Sequence, residues 1–115
     1  MILVSLGCSA SGEFRSCEAN GHAGFAQKGF DIVCSAISEL LRTAGKVLSD
    51  TGDISVAFEA GARGKMAFHL ENAEMISERT AIRLVCIADF VRTGVSSVAK
   101  EYPECVKLEE FRTDF

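Results

Sequence analysis

The sequence predicts an α+β domain: a two-layer sandwich in which a largely antiparallel sheet carries two helices on one face. Two long segments with helical periodicity each follow a pair of short alternating segments, and a final alternating segment gives the order ββαββαβ. This order differs both from a simple βαβ alternation and from an all-β chain. A length of 115 residues, 48% of them hydrophobic, fits one domain over residues 1–115 with a modest core.

The first hairpin is predicted from a strand over residues 2–6, a turn over 7–12 and a returning strand over 14–19. Apolar residues occupy every second position of the first strand, which is the pattern of a strand with one buried face. The turn is rich in glycine and serine. Cys8 is expected in this turn and Cys17 in the core, since neither has the spacing of a metal ligand.

The first helix is predicted from residue 32 to its end near residues 50–52. Its apolar residues recur at spacings of three and four, which forms a stripe that can pack onto a sheet. They are Val33, Ile37, Leu40, Leu41, Ala44, Val47 and Leu48. Cys34 lies at the border of this stripe, and Ser38 follows one turn later on the same side. We therefore expect Cys34 to be reachable from a cleft. Ser38 is a candidate for lining that cleft, and the alternative is a helix serine that is solvated or bonded back to the helix backbone.

A second hairpin is predicted from alternating residues at 54–58 and 66–70, joined by a loop at 61–64. Its second strand contains His69, which falls among the positions that alternate away from the apolar face. We expect His69 to be an exposed strand residue without a catalytic role.

The longest helix is predicted over residues 74–100, with Pro103 ending it. Apolar residues again recur at helical spacing along this segment. The remaining residues, 106–110, can form a last strand at the edge of the sheet. Cys86 and Cys105 are expected to be packing residues.

Residues 21–34 contain the combination most typical of catalysis. A loop over 21–29 contains three glycines and His22, and glycine permits backbone conformations that other residues avoid. Asp31 is predicted to be the N-cap of the helix, which would place Cys34 in the first helical turn. The helix dipole is positive there, and a thiol in such a position ionises more easily. Thiolate character together with a nearby imidazole is what a nucleophilic cysteine needs.

A structural role for these two residues is an alternative. Cysteine is among the most buried residue types, so Cys34 could be a small core residue, and His22 could be a solvated loop residue. Spacing alone does not bring the two side chains together.

The same segments carry a resemblance. Residues 21–29, with Gly-His-Ala at their start, and residues 31–38, Asp-Ile-Val-Cys-Ser-Ala-Ile-Ser, resemble the signature of the ribosomal-processing cysteine protease family (Prp). Residues 101–110 resemble the end of that family's chains. The resemblance implies that His22 and Cys34 are the catalytic pair. It also implies the α+β fold and a homodimer.

The substrate that the resemblance implies is an N-terminal extension of a basic large-subunit ribosomal protein, removed by a cut after a pair of aromatic residues. Phe25, Phe30 and nearby helix residues are candidates for a pocket that receives an aromatic side chain, and the alternative is that each is a core residue. Gly21 and Ser38 are expected to support the site. Asp31 could orient the histidine or cap the helix, and one carboxylate can hardly do both well. Backbone N–H groups of the first helical turn are candidates for stabilising the oxyanion.

Charge and composition limit the other functions. The net charge of −4 opposes non-specific nucleic-acid binding and favours a basic protein partner. The chain shows neither a signal sequence nor a long apolar segment, and its five cysteines contain no CxxC pair. We therefore expect a cytoplasmic protein without membrane binding, metal or cofactor.

The alternative function is a non-catalytic ribosome-associated binding module, with phosphate held by the glycine-rich loop and the helix N-terminus. Lys28-Gly29 lacks the spacing of a P-loop.

Overall fold

The computed structural model describes residues 1–21, 30–60 and 64–113, and for residues 30, 31 and 60 it describes the backbone alone. The order of elements is ββαββαβ, as predicted. The elements are β1 (Ile2–Cys8), β2 (Phe14–Asn20), α1 (Phe30–Ser49), β3 (Ser55–Ala60), β4 (Lys65–Asn72), α2 (Glu78–Glu101) and β5 (Val106–Arg112).

The strands form one sheet with the order β3-β4-β2-β1-β5. The β1–β2, β2–β4 and β3–β4 pairs are antiparallel, whereas β5 pairs with β1 in parallel. The largely antiparallel sheet and the edge position of β5 are therefore confirmed, but the sheet is mixed. The parallel pair arises because α2 returns the chain along the sheet before β5 begins, which is the geometry of a crossover connection.

The core lies between one face of the sheet and both helices, so the two-layer sandwich is confirmed. Alternate residues of β1 are buried, and both helices bury stripes with helical spacing. In the sheet, the rings of Phe14 and Phe68 stack with their centroids 5.5 Å apart. Residues predicted to face the sheet from α1 are buried or packed against the core: Val33, Ile37, Leu40, Leu41, Ala44, Val47 and Leu48.

The start of α1 differs from the prediction. The helix already includes Phe30, so Asp31 lies inside its first turn and the predicted N-cap position is wrong. Cys34 is consequently the fifth residue of α1, one residue beyond the first turn. Aspartate is favoured in the first turn as well as at the cap, because its negative charge interacts with the positive end of the helix dipole. The sequence pattern alone did not separate these two positions.

The start of α2 is fixed by a cap. Ser77 has an extended backbone, and its hydroxyl oxygen accepts a hydrogen bond from the N–H of Thr80 at 3.1 Å. The predicted start at residue 74 is thus too early. At the other end, Tyr102 is the C-cap, and Pro103 follows it where the sequence predicted the helix to end.

Three side chains depart from the expected environments. Cys8 is the last residue of β1 and is buried, because the strand runs two residues further than its alternating pattern suggested. Cys86 is exposed on α2 and is not a packing residue. His69 is half-buried on the sheet face away from the helices. Cys105 is packed partly against the core, as expected. Of the loop predicted at 61–64, residues 61–63 lie outside the described part.

Candidate active site

A cleft of about 200 Å³ lies between the first half of α1 and the adjacent end of the sheet. Cys34 lines it and is half-buried, so its thiol sits in the wall of the cleft. The full lining is Ile2, Ala19, Gly21, Cys34, Ile37, Ser38, Gly64, Lys65 and Met66. Four of these are aliphatic or thioether side chains, or the methyl group of alanine, so the cleft suits an apolar group beside the thiol.

Strand register builds the apolar side of the cleft. Ala19 of β2 and Met66 of β4 are directly paired, so their side chains lie on the same face of the sheet. Ile37 faces them from α1 and is buried. Ile2 lies next to the end of β2. A Cβ added to Gly21 would come 2.8 Å from the Cα of Ile2. Glycine at position 21 therefore lets the first strand approach the chain closely at the cleft.

Gly21 also meets Gly64 at the cleft. The N–H of Gly21 donates a hydrogen bond to the carbonyl oxygen of Gly64, with 3.0 Å between the two atoms. This contact continues the β2–β4 ladder by one step beyond the pair Asn20–Lys65. Gly64 has a φ of 86°, a left-handed conformation that favours glycine. Both glycines thus serve a close backbone approach at the cleft.

The edge of the cleft carries charge. Lys65 lies 3.3 Å from a carboxylate oxygen of Glu18, and the same oxygen accepts a hydrogen bond from the side chain of Asn20 at 3.1 Å. The Asn20 hydrogen bond and the interaction with Lys65 lower the pKa of Glu18. Glu59 is a second carboxylate within 4.0 Å of Lys65. The rim is therefore a charged, solvent-screened patch next to an apolar interior.

The structure brings together three of the residues that the sequence singled out. Cys34, Ser38 and Gly21 all line the cleft. Ser38 is placed there by helix geometry, one turn after the cysteine. His22 lies outside the described residues, as do Phe25 and the side chains of Asp31 and Phe30. Their predicted roles stay predictions.

The family follows from the sequence as a whole. The profile of the family described as cysteine protease Prp matches residues 1–107, which is most of the 115-residue chain. The chain belongs to the Prp family of cysteine proteases. It is therefore a cysteine peptidase by family, and the thiol in the cleft is the group such chemistry requires. A comparison with curated proteins gives no match.

Solved structures share the fold of this Prp family member. SMU.848 from Streptococcus mutans is 24% identical, with a TM-score of 0.77 over 98% of this chain and 96% of that one. The ribosomal processing protease Prp from S. aureus in complex with a substrate peptide is 17% identical, with a TM-score of 0.76 over 96% of this chain and 100% of that one. The same protease with a covalently linked product peptide is 18% identical, with a TM-score of 0.74 over the same shares.

Two other thiols of this Prp family member, those of Cys8 and Cys17, suit nucleophilic attack poorly. Burial raises the pKa of Cys17 to about 12, and burial likewise raises the pKa of Cys8 despite the nearby charge of Arg92. Cys86 is exposed, and Cys105 is packed partly against the core.

Among the residues that the structure describes, no group of His, Cys, Asp and Glu could hold a metal ion, and no helix is long and apolar enough to cross a membrane.

Sequence reasoning missed the apolar wall of the cleft. Ile2, Ala19 and Met66 each fit the alternating pattern of a core strand, so nothing marked them as lining a site. The register that aligns them appears only when β2 is paired with β1 and β4. The useful signal was the glycine that follows β2, because a glycine directly after a strand indicates close backbone approach.

Proposed function

We propose that this protein is a cysteine endopeptidase in which Cys34 is the nucleophile and His22 the general base and acid. The observation that carries the proposal is the half-buried thiol of Cys34 in the wall of an apolar cleft. Membership of the cysteine protease Prp family supports it. Gly21, the residue before His22, lines the same cleft, so the chain leads directly from the cleft to the histidine.

The proposed reaction has two steps. The Cys34 sulfur attacks the scissile carbonyl carbon while His22 takes the thiol proton, and the C–N bond then breaks as His22 returns that proton to the leaving amine. Water, deprotonated by His22, attacks the thioester, and the carboxylic acid product leaves as the thiol re-forms. In a helix that begins at Phe30, the N–H of Cys34 is bonded to the Phe30 carbonyl. Oxyanion stabilisation therefore falls to the unpaired N–H groups that precede it in the first turn.

The proposed substrate is an N-terminal extension of a basic large-subunit ribosomal protein, cut after a pair of aromatic residues. The cleft supports this choice, because Ile37 and Met66 offer an apolar surface beside the thiol for one aromatic side chain. The net charge of −4 and the carboxylates of Glu18 and Glu59 near the cleft favour a lysine-rich chain. The S. aureus Prp, solved with a substrate peptide, shares the fold. The proposal also includes a cytoplasmic location and a homodimer. Sedimentation velocity would test the homodimer.

A peptide assay tests this function. The substrate is a hydrophobic segment that ends in two phenylalanines and continues into a lysine-rich segment, and the products are identified by mass spectrometry. We expect one cut after the second phenylalanine, and no cut when alanine replaces both. Cys34→Ala serves as the enzyme control. Binding of the peptide without any cut by the wild type would favour the non-catalytic binding module instead. A cut that ignores the aromatic residues would leave a cysteine peptidase with another substrate.

A further inference from the structure

The outward face of α2 carries an apolar stripe. Ile82, Cys86 and Phe90 follow one another at intervals of four residues, so they lie on one side of the helix. Ile82 is 59% exposed and Phe90 is 41% exposed, and Cys86 is exposed as well. The residues of α2 that enter the core, such as Leu84 and Val91, are buried on the other side. A contiguous exposed stripe of this kind is typical of an interaction surface.

A groove of about 350 Å³ lies beside this stripe, between α2 and α1. Cys86 and Phe90 belong to its α2 wall, and Ala44 and Val47 belong to its α1 wall. The groove is therefore mostly apolar, and it widens the surface on which a partner could bury apolar side chains.

Two opposite charges flank the stripe on either side of its centre. Arg83 lies three residues before Cys86, and Asp89 lies three residues after it. Both are exposed. Nε of Arg83 donates a hydrogen bond to the Thr51 hydroxyl at 2.9 Å, and Asp89 accepts one from Arg92 at 2.7 Å. A guanidinium has five N–H donors and a carboxylate can accept about four hydrogen bonds, so each side chain has capacity for a further partner.

The pattern is self-complementary about Cys86. When two copies of a helix pack antiparallel around a twofold axis at Cys86, a residue at a given spacing before it meets the residue at the same spacing after it in the other copy. Ile82 then meets Phe90 of the second copy, because both are four positions from the centre. Arg83 likewise meets Asp89 of the second copy. In a parallel pair each residue would meet its own copy, and two arginines would face each other.

We propose that a second copy of this chain docks on this face of α2, with the two helices antiparallel about Cys86. The homodimer proposed above gives the number of chains, whereas this inference names the surface and its register. The contact of Ile82 with Phe90 and the ion pair of Arg83 with Asp89 each form twice, because a twofold interface is isologous. The face shares no lining residue with the cleft at Cys34, so the proposal does not depend on the catalytic assignment.

Charge exchange tests the register. Arg83→Asp and Asp89→Arg each place like charges opposite one another, whereas the double variant restores opposite charges. Sedimentation velocity between about 1 and 100 µM measures the dissociation constant of the dimer. We expect each single variant to weaken the dimer by about 10-fold or more, and the double variant to return to within about threefold of the wild type. The control is Glu71→Arg, which makes the same charge change at an exposed position of β4 and should leave the dissociation constant unchanged.

Cross-linking tests the position of the axis without changing the sequence. Two Cys86 thiols that face each other can be joined by a short bismaleimide, because each thiolate adds across one maleimide double bond. We expect a covalent dimer in which mass spectrometry finds Cys86 of one copy linked to Cys86 of the other. This product should be absent in Cys86→Ser and reduced in Arg83→Asp.

The outcomes separate this surface from a dimer formed elsewhere and from the proposed function. A wild type that stays monomeric at about 100 µM overturns the proposal, whatever other protein binds the face. A dimer that Arg83→Asp does not weaken, and that gives no link between Cys86 residues, also overturns it and leaves the proposed homodimer standing. Should a charge variant fail to fold by circular dichroism, the cross-link in the wild type decides alone. Cleavage of the peptide with two phenylalanines is measured separately, and its absence refutes only the proposed function.

Discussion

The carboxylate of Asp53 accepts a hydrogen bond from the backbone N–H of Ser77, with 2.8 Å between Oδ2 and N. The same oxygen accepts a second hydrogen bond from the Thr80 hydroxyl at 2.9 Å. The turn that follows α1 is thereby tied to the first turn of α2, where a negative charge also interacts favourably with the helix dipole. These bonds, the one from the Ser77 backbone foremost, lower the pKa of Asp53.

Replacing Asp53 by alanine should lower the Tm by a few degrees near neutral pH. A carboxyl group whose pKa is lowered by folding stabilises the native state above its unfolded pKa of about 3.9, and the stabilisation is lost as the pH falls through the folded pKa. The Tm difference between the wild type and Asp53→Ala should therefore shrink below about pH 4. Thermal unfolding followed by circular dichroism over this range checks it. Asp50→Ala, at an exposed position near the same turn, is the control. A Tm difference that does not change with pH would contradict the assigned hydrogen bonds.

Much of the fold could be predicted, because each element has a strong local pattern. The stripe of α1 from Val33 to Leu48 and the alternation of β1 both appear in the sequence and match the buried faces. The parallel pairing of β5 with β1 could not be predicted, since period-2 alternation is the same in both directions. Helix starts were also uncertain, because Asp31 and Ser77 belong to residue types that favour both caps and first turns.

Cys34→Ala should abolish peptide cleavage while changing the free energy of unfolding by less than about 1 kcal/mol. The substitution removes the proposed nucleophile, but the side chain is only half-buried, so little packing is lost. Cys17→Ala is the opposite case, because Cys17 is fully buried in the sheet face of the core. It should keep kcat and cost about 1 kcal/mol or more in stability. Urea unfolding and the peptide assay, applied to both variants, check the pair. Near wild-type cleavage by Cys34→Ala would exclude this thiol as the nucleophile.

The candidate site could be predicted only in part. Cys34 and Ser38 line the same cleft, and helix periodicity predicts that they share a face because they are one turn apart. The opposing wall, with Ala19 and Met66, depends on the pairing of strands that are distant in sequence, so no local pattern marks it. The contact of Gly21 with Gly64 has the same origin. Each glycine is visible in the sequence, but only the fold brings them together.

Alkylation should identify Cys34 as the fastest of the five thiols. Cys8 and Cys17 are buried and have raised pKa values, so iodoacetamide near neutral pH should leave both unmodified in the folded protein. Cys86 is exposed and is the competing thiol that the sequence did not predict. We therefore expect the first adduct at Cys34 and a slower one at Cys86, resolved by peptide mapping over time.

The variant Cys86→Ser removes the competing reaction and should show a single rapid adduct. The alkylation rate of Cys34 should fall when His22 is replaced by alanine, because the proposed base favours the thiolate form of Cys34. Equal rates at Cys34 and Cys86 in the wild type would indicate an unactivated thiol and would argue against catalysis by Cys34.

The position of Asp31 predicts an unusual order of stabilities for two substitutions. At an N-cap, asparagine would replace aspartate well and alanine would cost about 1 kcal/mol. Because α1 begins at Phe30, Asp31 lies inside the first turn, where its charge interacts with the helix dipole for about 0.3–1 kcal/mol. Asparagine and alanine both remove that charge, and alanine is the better helix former. Asp31→Ala should therefore be at least as stable as Asp31→Asn.

Urea unfolding at low and high salt distinguishes the two positions of Asp31. Loss of a dipole interaction should shrink as salt screens it, whereas loss of a capping hydrogen bond should persist. Glu78 provides a matched control, because it is an acidic residue in the first turn of α2 behind an established cap, Ser77. Glu78→Gln should show the same salt dependence as Asp31→Asn. If Asp31→Asn is clearly more stable than Asp31→Ala at both salt concentrations, Asp31 acts as a cap in solution and the helix effectively begins after it.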